Sequence, residues 1–441
     1  MDTIAAISTA PAEAAIALIR MSGPASVSLA ARLWQGRRGV EELPARFAAY
    51  GQIVEDAAKL DDVLLTVFRG PASYTGEDMV EIACHGGVLV SRRILSALLR
   101  CGARSAEPGE FTQRAYLNGK LDLTQAEAVM DLITAQTELA LQSAAEQLEG
   151  RLGDRIRALR QQVLEILAHV EAYIDFPDED ISPDVGAALL ARMETARAEM
   201  DSMLATAGQG RLMREGVRTV IYGAPNVGKS SLLNLLLGYE RAIVNARPGT
   251  TRDVLEETVN LRGIPVRLMD TAGVRATEDE IEREGIERTH RALERADLVL
   301  HLFDASEPPS DEAPRGPGKV LRILNKEDLG ENPAWAGAEV VRMSCLKKTG
   351  LDALGDAIVA AVIGGAARSD WTVAINARHQ SCLENARAGM MAAQKAFTDR
   401  LSPEFVAEDL RASMNAVGDV VGRVDTEEVL GVIFGTFCIG K

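Results

Sequence analysis

Cysteine is scarce: 441 residues hold five, Cys84, Cys101, Cys345, Cys382 and Cys438, and no two form a CxxC pair. The five histidines are scattered as well, so neither a disulfide framework nor a structural zinc site is indicated. Long apolar runs are missing, since none reaches the roughly 20 residues of a membrane span. The first residues also lack the charged, apolar and small-residue blocks of a signal sequence. No membrane association is expected, and the chain reads as cytoplasmic. Basic charge is short too. Against 64 Asp and Glu stand 48 Lys and Arg, a net charge of −16, which argues against a protein held to nucleic acid by its overall charge. Screening within about 8–10 Å leaves a local basic patch free to act alone. What the chain has is length and apolar content: 441 residues predict two to four domains, and 47% hydrophobic residues supply their cores.

The strongest motif is Gly223-Ala-Pro-Asn-Val-Gly-Lys-Ser230, between the strand-like run Val217 to Tyr222 and the helix-prone run Ser231 to Leu237. Gly223 and Gly228 let the backbone curl with its N–H groups inward, around a phosphate at a helix N-terminus. Lys229 then reaches the β- and γ-phosphates and the Ser230 hydroxyl binds Mg²⁺. Asp270-Thr-Ala-Gly273 ends a second apolar strand, where a nucleotide hydrolase keeps a carboxylate on the Mg²⁺ side and a glycine that senses the γ-phosphate. Asn325-Lys326-Glu327-Asp328 ends a third. A carboxylate at Asp328 pairs with the N1–H and 2-amino group of guanine, whereas adenine faces it with an acceptor, so guanine is the expected base. Taken alone, Asp328 would equally serve as a helix cap.

In chain order, residues 1 to about 118 read as a small α/β domain, with strand-like runs at Thr3 to Ser8, Ala14 to Met21, Val63 to Arg69 and Met79 to Cys84, and a helix from Val88 to Leu99. Tyr74-Thr-Gly-Glu-Asp78 and His85-Gly-Gly87 form turn-rich loops. His85 reads either as a helix-start residue or as a catalytic one, and Glu77 as a ligand group or a solvated loop residue. From Asp122 to about Thr206 the chain turns helical. Leu148, Leu152, Ile156, Leu159, Val163, Ile166, Val170 and Ile174 make one apolar stripe, expected as bundle core. Phe176-Pro177 ends it, and Asp178-Glu179-Asp180 reads as a solvated acidic loop or a metal site.

Residues 211 to about 368 alternate strand and helix, which predicts a doubly wound, largely parallel sheet with ligands at the strand carboxyl ends. The helical residues 371 to 441 need a partner, and the stretch from Asp122 to Thr206 supplies one, so the nucleotide domain is read as inserted into a helical domain.

Val274 follows the glycine of the Asp270 motif, where Ras-like enzymes place a water-orienting Gln. Catalytic charge and water therefore need other groups. Asn226 is either a turn residue or a ligand for a monovalent cation against the phosphates. Asn245-Ala-Arg-Pro-Gly-Thr-Thr-Arg-Asp253 occupies the switch position with Thr251 available to Mg²⁺, and the acidic run Glu278 to Glu282 offers carboxylates to orient water.

With these motifs the chain resembles, end to end, the MnmE (TrmE) family of tRNA modification GTPases. The resemblance rests on Tyr74-Thr-Gly-Glu-Asp78, His85-Gly-Gly87, Pro108-Gly-Glu-Phe111, Asn118-Gly-Lys-Leu-Asp-Leu123, Gly249-Thr-Thr-Arg-Asp253, the three nucleotide motifs and the ending Phe437-Cys-Ile-Gly-Lys441. It implies an α/β and α chain: an N-terminal α/β folate-binding-like and dimerisation domain (1–118), a discontinuous helical domain (119–210 and 369–441) and an inserted Ras-like P-loop GTPase domain (211–368). It also implies a homodimer that joins an FAD-dependent MnmG-type partner in a heterotetramer, acts on tRNA, and uses K⁺, Mg²⁺, GTP and 5-formyl-tetrahydrofolate or a related folate. The product is a carboxymethylaminomethyl group at C5 of the wobble uridine.

Residue by residue, Arg20, Glu77, Lys120 and Lys441 match the folate contacts. Asn226, Asn245, Arg247 and Thr250 match the K⁺ site, Ser230 and Thr251 the Mg²⁺ ligands, Glu282 the carboxylate that orients water, and Cys438 the family's C-terminal cysteine. The GTP contacts fall on Asn226, Val227, Gly228, Lys229, Ser230, Ser231, Asn245, Thr250, Thr251, Asp270, Thr271, Ala272, Gly273, Asn325, Lys326, Asp328 and Ser344. Ala12-Glu-Ala-Ala15 departs from the family's glycine-rich turn, and Cys345 from its usual alanine. Two other classes compete: a ribosome-assembly or translation GTPase acting as a binding switch, and a folate enzyme regulated by GTP without tRNA. Neither a one-carbon site nor a near-terminal thiol is needed by an assembly switch.

Overall fold

A computed structural model describes residues 2–175, 185–239, 257–269, 290–310, 313–363, 375–422, 430, 433–435 and 437–440. The chain divides into two compact units, residues 1–130 with 418–441, and residues 131–417.

The first unit is built on a seven-stranded sheet of order β3-β4-β5-β6-β2-β1-β7. Its elements are β1 (Ile4–Ile7), β2 (Ile16–Ser22), α1 (Ser26–Leu33), β3 (Trp34–Gly36), β4 (Ala48–Glu55), β5 (Ala58–Phe68), β6 (Met79–His85), α2 (Val88–Arg100), β7 (Arg104–Ser105) and α3 (Glu110–Leu117). All pairings are antiparallel except β1 with β7. Because side chains alternate along a strand, β1 serves two cores. Ala5 joins Ile19, Met21, Val80 and Ile82 beneath α1 and α2. Ile4 and Ala6 join Met79 and Phe111 of α3 on the other face. The four sequence runs read as strands are all strands, while β3, β4, β7, α1 and α3 were not expected.

The end of the chain returns to this unit. Ser8 Oγ donates to Gly440 O at 3.0 Å, the Gly109 N–H donates to Cys438 O at 3.4 Å, and Pro108 bridges Ile439. Gly109 is left-handed (φ 68°), and a Cβ there would stand 2.8 Å from Phe434 O, so Pro108-Gly-Glu-Phe111 owes its glycine to this close approach.

Helix α4 (Leu123–Thr134) carries the chain into the second unit, whose helices are α5 (Glu138–Leu148), α6 (Arg151–Asp175), α7 (Val185–Leu204), α8 (Ala207–Glu215), α9 (Lys229–Tyr239), α10 (Leu351–Ile363), α11 (Ala377–Thr398) and α12 (Pro403–Val421). The single stripe expected over Leu148–Ile174 is two helices. Gly150, at φ 93°, closes α5, so Leu148 lies on a different helix from the residues that follow. On α6 itself Leu152, Ile156, Leu159, Val163, Ile166 and Val170 are buried as the spacing requires. Each such side chain contributes about 1.5–3 kcal/mol. The partner role foreseen for the late helices is present: Arg387 of α11 reaches Asp201 of α7 at 3.1 Å, and Arg411 of α12 reaches Glu171 of α6 at 2.7 Å. Gly389 lets α11 and α12 approach closely, since a Cβ there would meet Asp409 O and Ser413 N at 3.0 Å.

Between the helical segments lies a six-stranded sheet of order β13-β12-β11-β8-β10-β9. Its strands are β8 (Val217–Tyr222), β9 (Glu257–Leu261), β10 (Ile264–Leu268), β11 (Leu298–Asp304), β12 (Lys319–Asn325) and β13 (Val341–Arg342). Only the β9–β10 pair is antiparallel, so the parallel doubly wound reading is met. Among the described residues no helix is long and apolar enough to cross a membrane.

Candidate functional site

Three loops at the carboxyl ends of β8, β12 and β13 come together through one side chain. Asn325, buried at the end of β12, donates from Nδ2 to Val227 O of the phosphate loop at 2.9 Å. Its Oδ1 accepts the Cys345 N–H at 3.0 Å. Two backbone groups are thereby satisfied by one amide, which fixes the loops relative to each other.

The glycines of the phosphate loop follow from this packing. Gly223 has φ 147° and its Cβ would lie 2.5 Å from Leu302 O of β11. Gly228 has φ 100° and its Cβ would lie 2.3 Å from Asn325 Nδ2. Asn226 is exposed and left-handed at φ 63°, a conformation that asparagine tolerates better than most residues. Val227 is buried, and Lys229 opens α9 with Ser230 and Ser231 in its first turn. The Lys229 ammonium donates to Gly223 O at 2.8 Å and Ala224 O at 2.7 Å, so it lies curled over its own loop.

The guanine side is equally ordered. Lys326, at φ 64°, places its Nζ 2.7 Å from Asp304 Oδ2 at the end of β11. Burial alone would raise Asp304, but hydrogen bonds from Lys326 and Ser306 outweigh it and lower it. Asp328 is half-buried and accepts from Ser344 Oγ at 2.5 Å, and that hydrogen bond lowers its carboxyl. Ser344 Oγ in turn accepts the Lys347 N–H at 3.1 Å. Cys345, the departure in this loop, contributes its backbone to Asn325, and burial pushes its thiol up to about 11.

Asn245, Arg247, Thr250, Thr251, Asp270, Thr271, Ala272, Gly273, Val274, Glu282 and Lys441 lie outside the described residues, as does the acidic run Asp178 to Asp180. Among the described residues no cluster of three or more His, Cys, Asp or Glu could hold a metal.

The first unit carries a second charged site. Glu77 is not a solvated loop residue: its carboxylate is 13% exposed, accepts from Ser22 Oγ at 2.6 Å and meets Arg114 Nη1 at 3.2 Å. Arg114, 6% exposed, also donates to Glu110 Oε1 at 2.9 Å, Asp2 Oδ1 at 2.6 Å and Asp2 O at 2.8 Å. Arg104 completes the set, pairing with both Asp2 and Glu110. For Glu110, burial alone would raise the carboxyl, but Arg104, the Glu107 N–H and Arg114 outweigh it. Hydrogen bonds from Arg104 first, then Arg114, hold Asp2 well below the usual carboxylate range.

Beside this set Arg20 grips Glu81 through Nε at 2.9 Å and Nη2 at 2.7 Å, its guanidinium 5.6 Å from the centre of the Tyr74 ring. The Lys120 ammonium reaches Pro71 O at 3.1 Å. His85 ends β6 at the opposite end from Glu77. Its ring is exposed, its Nδ1 stands 2.7 Å from Asp61 Oδ1, and its N–H donates to Asp61 Oδ2 at 2.8 Å. Cys438 is exposed.

Sequence reasoning singled out Glu77, Asn325 and Lys326 but not their supports, Arg114, Ser22 and Asp304. Asp304 had a usable signal, an acidic residue closing an apolar strand beside a phosphate loop. Arg114 had a local signal only for Glu110, four residues before it on α3; Glu77 and Asp2 lie 37 and 112 positions away along the chain.

Comparison with known proteins agrees with both halves. A family model described as the N-terminus of the GTP-binding protein TrmE matches residues 3–120, and one described as the MnmE helical domain matches residues 123–438. Among curated relatives named tRNA modification GTPase MnmE, that of Akkermansia muciniphila is 50% identical over 444 residues, covering 100% of this chain and 99% of its own. That of Geobacillus thermodenitrificans is 44% identical over 458 residues, with 100% and 99% covered. That of Bacillus licheniformis is 43% identical over 460 residues, with 100% of both covered. With a family model over more than half its length and relatives of this identity from end to end, the chain belongs to the MnmE family of tRNA modification GTPases.

Proposed function

We propose that the chain is a potassium-activated GTPase of the cytoplasm. With an FAD-dependent MnmG-type partner, it adds a carboxymethylaminomethyl group to C5 of the wobble uridine of certain tRNAs, using a tetrahydrofolate one-carbon donor. As a member of its family it is a GTP hydrolase that acts in tRNA modification. The observation that carries the finer reading is the presence in one chain of two built sites: the loops joined by Asn325, and the Glu77 carboxylate held by Arg114 and Ser22.

Work divides among residues 1–118 for folate and dimerisation, 119–210 and 369–441 for the helical scaffold, and 211–368 for GTP. Asp328, oriented by Ser344, reads the guanine edge, and Lys326 is steered by Asp304. On nucleotide binding, Lys229 exchanges the carbonyls of Gly223 and Ala224 for phosphate oxygens. Asn226 and Ser230 sit where a hard cation suits their oxygens, and the sequence adds Asn245, Arg247 and Thr250 for K⁺ and Thr251 for Mg²⁺. When bound, these ions stabilise charge developing on the phosphates. Glu282 orients the attacking water.

The folate is assigned to Glu77, Arg20, Lys120 and Lys441. The chemistry of this donor set fits: a carboxylate has about four acceptor positions, so Glu77 keeps capacity for the pterin amino and ring N–H groups beyond its bonds to Ser22 and Arg114. Cys438 serves the modification step, and the protein works as a homodimer within a heterotetramer.

Replacing Glu282 with Ala tests the hydrolytic part. GTP affinity is expected to hold while turnover falls by about 10²–10⁴. Unchanged turnover removes Glu282 from the mechanism, and equal rates in sodium and potassium remove the cation. No observation in the structure favours the assembly-switch reading.

A further inference from the structure

In the first unit α1 and α2 share one core with β1, β2, β5 and β6, so they lie on the same face of the sheet. Their outward sides have an unusual charge pattern. Residues 22–40 and 86–103 hold six arginines, Arg32, Arg37, Arg38, Arg92, Arg93 and Arg100, with no lysine and no acidic residue, in a chain with 64 Asp and Glu. All six are exposed. On α2 the arginines stand opposite buried Ser91, Ile94, Ala97 and Leu98. Arg32 Nη1 donates to Cys101 O at 3.0 Å, which ties the end of α1 to the end of α2. The turn after β3 is folded back by the Trp34 Nε1–H donating to Arg38 O at 2.9 Å.

Arg100 is paired with Glu55 at 2.7 Å, whereas Arg37, Arg38, Arg92 and Arg93 have no ion pair among the described residues. An ordinary solvated helix mixes its signs, as α7 does where Arg197 lies between Glu194 and Asp201. Glu41 and Glu42, exposed, are the first acidic residues past the turn. Unneutralised guanidiniums on rigid helices create a local positive field that the overall acidity does not cancel beyond a Debye length. Arginine without lysine suits bidentate contact with phosphate.

We propose that this helical face of the N-terminal unit docks the phosphate backbone of tRNA, with Arg92 and Arg93 at its centre. The inference rests on tRNA being the substrate and adds where the chain itself holds it. The test is the binding of fluorescently labelled tRNA to the full chain across a range of potassium chloride concentrations, for wild type, Arg92→Glu with Arg93→Glu, and Arg92→Gln with Arg93→Gln.

Charge reversal is expected to weaken binding about tenfold or more. The slope of log affinity against log salt should drop by about 1 for each phosphate that is no longer neutralised, with a smaller decrease for the glutamine pair. GTP hydrolysis stays unchanged and reports that the variants fold. Wild-type affinity and slope in the charge-reversed chain would overturn the proposal alone and leave the face to an acidic protein surface. A wild-type chain with no affinity for tRNA would overturn it together with direct tRNA binding by this chain.

Discussion

The two charged sites of this molecule are held in opposite ways. At the nucleotide site a neutral amide, Asn325, joins the loops, and the charged side chains rest on neighbours nearby: Lys229 on its own loop, Asp328 on Ser344. In the first unit the Glu77 carboxylate is fixed by an ion network, buried at Arg114 and exposed at Asp2 and Arg104, that gathers Asp2, Glu77, Arg104, Glu110 and Arg114 from four parts of the chain. The first arrangement lets groups exchange protein partners for a ligand at small cost. The second presents one charge in a fixed direction, and its integrity depends on every member.

The largest expected effect breaks the network. Arg114→Ala leaves the Glu77 carboxylate without its ion pair, while Asp2 and Glu110 keep Arg104, and should cost about 3–5 kcal/mol, read by urea denaturation. A loss below about 1 kcal/mol would show that packing, not charge pairing, holds this unit. Next, Gly228→Ala puts a methyl group against Asn325 Nδ2 in a backbone conformation that alanine resists. GTP affinity by fluorescence titration should fall about 100-fold, roughly 2.7 kcal/mol. Retained affinity would mean that the Asn325 bridge is dispensable.

The smallest effect is in acid. Burial alone would raise Asp297, but hydrogen bonds from Arg218 and Arg211 overcome this and hold it at about 2. A carboxyl lower in the folded chain than in the unfolded one stabilises the fold above the ordinary carboxylate range and loses that contribution as pH falls through the folded value. The Asp297 share should therefore fade between about pH 4 and pH 2, with Asp2 following lower still because its carboxyl is also depressed. Asp297→Asn should flatten the acid limb of a stability–pH curve, and an unchanged limb would discard this ion cluster as its source.

This contrast also explains what the sequence could and could not reveal. The phosphate loop, the Asn325 motif and the parallel strands are local patterns, and they stand where spacing places them, β8 to the residue. Strand β4 escaped notice because its alternation is diluted by Gly51 and Gln52, and β3 because it is three residues long. The stripe through Leu148 looked continuous because periodicity does not register one left-handed glycine at 150. Glu77 was visible as a motif residue, but the guanidinium that turns it from a solvated acid into a presented one comes from α3 and is reached only by folding.

The central claim is that both sites serve one reaction on tRNA. Nucleoside mass spectrometry of total tRNA from cells lacking this chain tests it most directly, with complementation by wild type and by Cys438→Ser. The account predicts selective loss of 5-carboxymethylaminomethyl-type uridines, restored by wild type and not by Cys438→Ser. An unchanged nucleoside profile in the cells lacking the chain would contradict it.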